Sequence, residues 1–147
     1  MGWSARVGVC LTVAAALAGC AGVTRSGGDY QLKAQKTAAD LTAAVGSAQL
    51  ASRQFLDGRL PQSYADYVIS RAEQDGSSIQ NAFDTRQPPD EAADQLHNRL
   101  DEPMQQINSD LTDLRVAVRT DDHAQLKSTL ADLSDALGKL EKVQGLS

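Results

Sequence analysis

The sequence predicts an all-α protein, an antiparallel up-down-up-down four-helix bundle, and three observations carry that prediction. From residue 30 onward, apolar residues step alternately by three and four positions, the spacing that lines one face of an α-helix. Turn signals at Asp57-Gly58, Pro88-Pro89 and Thr120-Asp121-Asp122 divide this pattern into four long segments. No segment alternates apolar and polar residues as a half-buried strand does. Four long helices joined by short loops pack most simply as antiparallel neighbours.

The first helix is expected over residues 30–56, with an apolar seam of Ala34, Ala38, Leu41, Val45, Ala48, Ser52 and Phe55. Asp57-Gly58 ends it, as glycine does just past a helix terminus. Before Leu41 the seam holds only two small residues among Gln31, Lys33, Gln35, Lys36 and Thr37, so this stretch is expected to fray or to dock elsewhere. Pro61 suits the first turn of the second helix, where its missing N–H is not needed. That helix runs to about Asp84 on a seam of Ala65, Val68, Ala72, Ile79 and Ala82, with Tyr64 and Phe83 beside it. Asp75-Gly76-Ser77-Ser78 is its weak point, because glycine inside a helix costs about 1 kcal/mol relative to alanine. A break at Gly76 is one expectation.

The third helix spans about residues 89–119, its first turn carrying Asp90 and Glu91, whose charge the helix dipole favours. Its seam is Ala93, Leu96, Leu100, Met104, Ile107, Leu111, Leu114 and Val118, and Pro103 inside it is expected to kink the chain. The fourth begins after the capping run at Thr120-Asp121-Asp122 and holds Leu126, Leu130, Leu133, Leu137, Leu140 and Val143, ending at Gly145. The third and fourth helices bring Leu, Ile and Met where the first two bring mostly Ala and Ser. Full burial of a leucine contributes roughly 1.5–3 kcal/mol and an alanine far less, so the second hairpin is expected to hold the fold.

The N-terminus is of another kind. Arg6 precedes an uncharged run, residues 7–23, that ends in small residues. Seventeen residues interrupted by Gly8, Gly19 and Gly22 are short for a spanning helix, which needs about 20 mostly apolar residues. A conventional secretory signal cut near Leu17-Ala18-Gly19 would leave Cys20 as a lone thiol in an oxidising compartment. Leu17-Ala18-Gly19-Cys20 resembles the lipobox of bacterial lipoproteins. The resemblance covers residues 1–20 and implies cleavage between Gly19 and Cys20, with diacylglycerol joined to the Cys20 thiol. It implies three regions: a signal peptide at 1–19, the lipidated cysteine and a flexible tether at 20–29, and the bundle at 30–147. The chain is then expected at the cell membrane, lipid-anchored and facing the extracytoplasmic side. An even number of helices puts both termini at the membrane end, with the turns at 57–60 and 120–122 pointing away. The Ala- and Asp-rich, Lys-poor composition is similar to that of proteins from high-GC bacteria such as actinobacteria.

Composition narrows the function classes. Without residues 1–19, 128 of the 147 residues remain, enough for one core, with no cysteine but Cys20. Their net charge is about −6, with no basic stripe, which argues against nucleic acid and against peripheral binding to anionic lipid. Asp94, His97 and Asp101 share one helix face at i, i+3 and i+7 and form a weak candidate for a divalent metal. Set against this is the commoner fate of such spacing, a solvated charge stripe, and His123 lies at the other end of the rod. Di-iron sites need Glu-x-x-His on two helices, and neither histidine has that glutamate. No nucleophile elbow, phosphate loop or haem-attachment motif is present. Tyr64 and Tyr67 are either a partner patch, since aromatics dominate interface hot spots, or a cap on the thin end of the core near Phe55. The latter is the commoner role of aromatics at helical spacing. The expected function is therefore non-catalytic, an envelope interaction or scaffold role with a protein partner and without a cofactor. The alternative is a small-molecule or metal-binding lipoprotein that uses the bundle interior or the Asp94/His97/Asp101 face.

Overall fold

The computed structural model describes residues 26–145, and Gly19 and Cys20 lie outside them. Four α-helices make up the fold: α1 Gly27–Leu56, α2 Gln62–Asp84, α3 Glu91–Arg119 and α4 His123–Gly145. Consecutive helices pack against each other, and α1 also touches α3 and α4, while α2 and α4 do not meet. The cross-section is thus a rhombus with α1 and α3 on its short diagonal. Contacts between helix ends establish the antiparallel order. Tyr30 at the start of α1 meets Phe83 at the end of α2, and Phe55 at the end of α1 meets His123 at the start of α4.

Local chemistry explains where each helix begins and ends. Ser26 caps α1 by accepting from the Asp29 N–H (3.2 Å), so the helix starts three residues earlier than its seam alone implies and takes residues 27–29 from the expected tether. Gly58 has φ +68°, the left-handed conformation that ends a helix without a Cβ penalty. Pro61 is the N-cap of α2 and has no side chain to offer, whereas the neighbouring Gln62 amide donates to the Val118 carbonyl at 2.7 Å and so caps the end of α3. Asp90 caps α3 through the Ala93 N–H (2.9 Å), and Asp122 caps α4 through the N–H groups of Ala124 and Gln125. Helix α3 runs unbroken across Pro103, whose ring is buried.

The core follows the inequality of the seams. Leu100, Met104, Ile107, Leu111 and Leu114 of α3 are buried, and so are Leu126, Leu133 and Leu140 of α4. Opposite them α1 and α2 supply mostly alanine. Two expectations for the first hairpin are overturned. The start of α1 is helical from Gly27 and packs on the bundle's own core, where Tyr30 is fully buried and Ala34 and Ala38 follow it. Helix α2 does not break at Gly76. Its true seam is Ala65, Ile69, Ala72, Gly76 and Phe83, so Ile69 is buried where Val68 is only partly so, and Ala82 is exposed. Treating Gly76 as a break rather than a seam residue hid that register.

Gly76 is a close-approach position. A Cβ there would collide with Asn108 Oδ1 and sit 3.2 Å from Leu111 Cδ1. The Asn108 amide lies against the α2 backbone and donates to Gln80 Oε1 at 2.6 Å. Gly76→Ala is therefore expected to destabilise the protein by about 1 kcal/mol, the overpacking term exceeding alanine's helix advantage. In an Asn108→Ala background the same substitution should become neutral or stabilising. Thermal unfolding of the two single variants and the double variant checks this, and additive effects would refute it.

Two ion pairs tie α2 to α3. Arg115 Nε lies 2.6 Å from Glu73 Oε2, and Thr112 Oγ1 donates to the same carboxylate at 2.9 Å. Arg119 pairs with Asp66 near the end of the bundle, also at 2.6 Å. No described helix is long and apolar enough to cross a membrane.

Candidate functional site

The first turns of α2 place two tyrosines side by side. Tyr64 and Tyr67 sit three residues apart on one face, their ring centroids 6.4 Å apart and tilted by 42°. They are 56% and 61% exposed, which corrects the expectation that they cap the core. Ala65 and Ile69 take the inward positions of this turn, so the tyrosines have no interior to enter. Phe55 does not join them; its ring meets that of His123 edge-on at 5.5 Å.

Tyr67 lies at the edge of a shallow groove of about 210 Å³ between α1 and α2, floored by Ala44, Val68 and Ala72 and edged by Ser47, Arg71 and Asp75. Arg71 stands one turn beyond Tyr67, hydrogen-bonded to Gln74 at 3.2 Å and 3.7 Å from Asp75. Tyrosine and arginine beside a groove of small residues is the composition of interface hot spots. Tyrosine brings a large rigid surface with two side-chain torsions to immobilise, so contact with a partner loses little conformational entropy.

The metal candidate resolves differently. His97 is partly buried, and its Nδ1 is 2.8 Å from Tyr30 Oη. Its ring stacks on Phe83 at 5.1 Å and 16°. The histidine therefore closes a Tyr30–His97–Phe83 cluster where the ends of α1, α2 and α3 converge. Asp101 accepts from Gln105 at 2.8 Å, and Asp94 is exposed. Among the described residues, no three His, Cys, Asp or Glu side chains come together to hold a metal ion. Burial, then the nearby Asp94 charge, pushes the Tyr30 hydroxyl up to about 12, so the phenol is neutral at physiological pH.

Two features escaped the sequence. The Tyr30 cluster had a signal, since Tyr30 continues the Ala34–Ala38–Leu41 seam by one turn. Asp110 had none. It sits on the buried side of α3 only 3% exposed, with Oδ1 accepting from Gln106 at 2.8 Å and Oδ2 without a hydrogen-bond partner among the described residues. Burial raises its pKa above the usual carboxylate range, and the neighbouring Asp132 and Asp113 charges add to that.

Comparison with protein-family models, curated proteins and solved structures finds no match to this chain.

Proposed function

We propose that this chain is a membrane-anchored cell-envelope lipoprotein with a non-catalytic interaction or scaffold role. The observation that carries the reading is the exposed Tyr64–Tyr67 pair beside Arg71, a polar-tipped aromatic surface with no internal packing role. The lipobox at Leu17-Ala18-Gly19-Cys20 supplies the location. Two acyl chains on Cys20 hold stably where one would exchange, since each buried methylene contributes about 0.8 kcal/mol. Only residues 21–25 separate Cys20 from the Ser26 cap, so the tether extends at most about 20 Å. The tyrosines lie in the first turns of α2, toward the other end of a helical rod about 40 Å long.

Crosslinking in living cells tests the proposal. Wild type is expected to capture one recurring envelope protein. Capture should weaken in the Cys20→Ala variant and in Tyr64→Ala/Tyr67→Ala, which removes only exposed rings and should leave the melting temperature unchanged. No protein above background, or capture indifferent to both variants, would refute it.

A further inference from the structure

Helix α1 carries a second seam on the side away from the core. Its inward arc runs from Tyr30 through Leu41 and Val45 to Ser52. Diametrically opposite lie Asp29, Leu32, Lys36, Ala39, Ala43, Gly46, Leu50 and Arg53, spaced alternately by three and four residues, and all of them are exposed. Leu32 and Leu50, at 65% and 60%, are among the most exposed large apolar residues of the described chain. Apolar groups on both sides make α1 the least amphipathic of the four helices.

We infer that this outer seam pairs with the same seam of a second copy, forming an antiparallel two-fold dimer along α1. The argument is self-complementarity. An isologous contact requires that whenever residue i meets j on the partner, j also meets i. Turned end for end about the midpoint between Ala39 and Ala43, the stripe satisfies this at every layer. Ala39 faces the second copy's Ala43, small against small, which lets the backbones approach closely at the two-fold axis. Lys36 faces Gly46, where an added Cβ would meet nothing within 4 Å, so the lysine stem has a notch to cross. Leu32 faces Leu50. At both ends Asp29 faces Arg53, an acid opposite a base, and neither side chain has a partner among the described residues. Each layer pairs an a-type with a d-type position, the knobs-into-holes match of two helices sharing an apolar seam.

The stripe extends about 36 Å, and two helices in contact over that length bury on the order of 1,000 Å² in total, the lower end for a specific interface. A parallel pair is disfavoured by the same residues, because it would set Arg53 against Arg53 and Asp29 against Asp29. The dimer does not depend on the anchor. In an anchored pair the tethers leave from opposite ends, so the rods lie along the membrane rather than upright.

Sedimentation equilibrium of the full chain in non-ionic detergent, over a range of protein concentrations, tests the pairing. Wild type is expected to show a reversible monomer–dimer equilibrium. Arg53→Asp and Asp29→Arg should each weaken it about tenfold, since each creates two like-charge contacts. The double swap should restore it. Ala43→Arg should give a monomer whose helical circular dichroism and melting temperature match those of wild type. A wild-type chain that stays monomeric at millimolar concentration would overturn the inference, as would a dimer that tolerates Ala43→Arg or a double swap as weak as the singles. None of these outcomes bears on lipidation or on partner capture through the tyrosines.

Discussion

Tyr30→Ala is expected to destabilise the protein by about 3–5 kcal/mol, a large share of the total for a domain of this size. The ring is fully buried where three helices converge, 5.7 Å from Phe83, and its hydroxyl is bonded to His97. Truncation opens a cavity in the thin half of the core, where alanines have no side chain to swing into the space. Tyr30→Phe keeps the packing and removes one hydrogen bond, so it should lose only about 1 kcal/mol. The two variants also separate on alkaline titration. Below pH 10 the phenol is neutral in both the folded and unfolded chains. Between pH 10 and about 12 only the unfolded chain ionises, so Tyr30's contribution falls as pH rises through that window. Chemical denaturation at pH 8 and pH 11 should show a loss of stability in wild type that Tyr30→Phe largely removes. Equal losses in the two proteins would refute this assignment.

Asp110→Asn should do the reverse and stabilise the protein by about 1–3 kcal/mol at neutral pH. The wild-type carboxylate is buried with one oxygen unpartnered, facing negative charge from Asp132 and Asp113. Asparagine matches its shape, removes the buried charge, and leaves Gln106 free to turn its amide and accept from the new donor. The sign of the pH dependence follows from the raised pKa. On acidification the folded chain takes up the Asp110 proton before the unfolded chain does, so wild type gains relative stability as pH falls toward the usual carboxylate range. The advantage of Asp110→Asn should therefore be larger at pH 7 than at pH 4. Urea denaturation of both proteins at pH 7 and pH 4 measures it. An advantage that does not change with pH would show that folding leaves the Asp110 pKa unshifted and would refute this assignment.

Neither prediction was available from the sequence, although most of the architecture was. The end of α1 and the start of α4 follow from Gly58 and Asp122 because caps and turns act over three or four residues and can be identified without knowing what packs where. The heavy seams of α3 and α4 were equally legible, since leucines at helical spacing have one energetically sensible destination. The light seams were not. In an alanine-rich helix many arcs are almost equally apolar, and the choice between Val68 and Ile69 as the buried residue turns on a few degrees of rotation set by the neighbouring helix. The tyrosines show the same limit: spacing put Tyr64 and Tyr67 on one face, and only the rotation of α2 decided that the face was outward.

The sequence by itself determined four helices, the stop at Gly58, the capping run before α4, the antiparallel order and the dominance of the second hairpin, because all of these rest on local signals, on periodicity and on the bulk of leucine. Tertiary structure alone decided which side chains became partners. Tyr30 and His97 are 67 residues apart, and Gly76 and Asn108 are 32 apart. Such contacts depend on the rotation of each helix about its axis and on the distance between axes. Helical spacing constrains the first only when one arc is much more apolar than the rest, and it does not constrain the second at all. Helix α1 has two competing arcs, and the packing of α2, α3 and α4 against one of them is what left the other facing out.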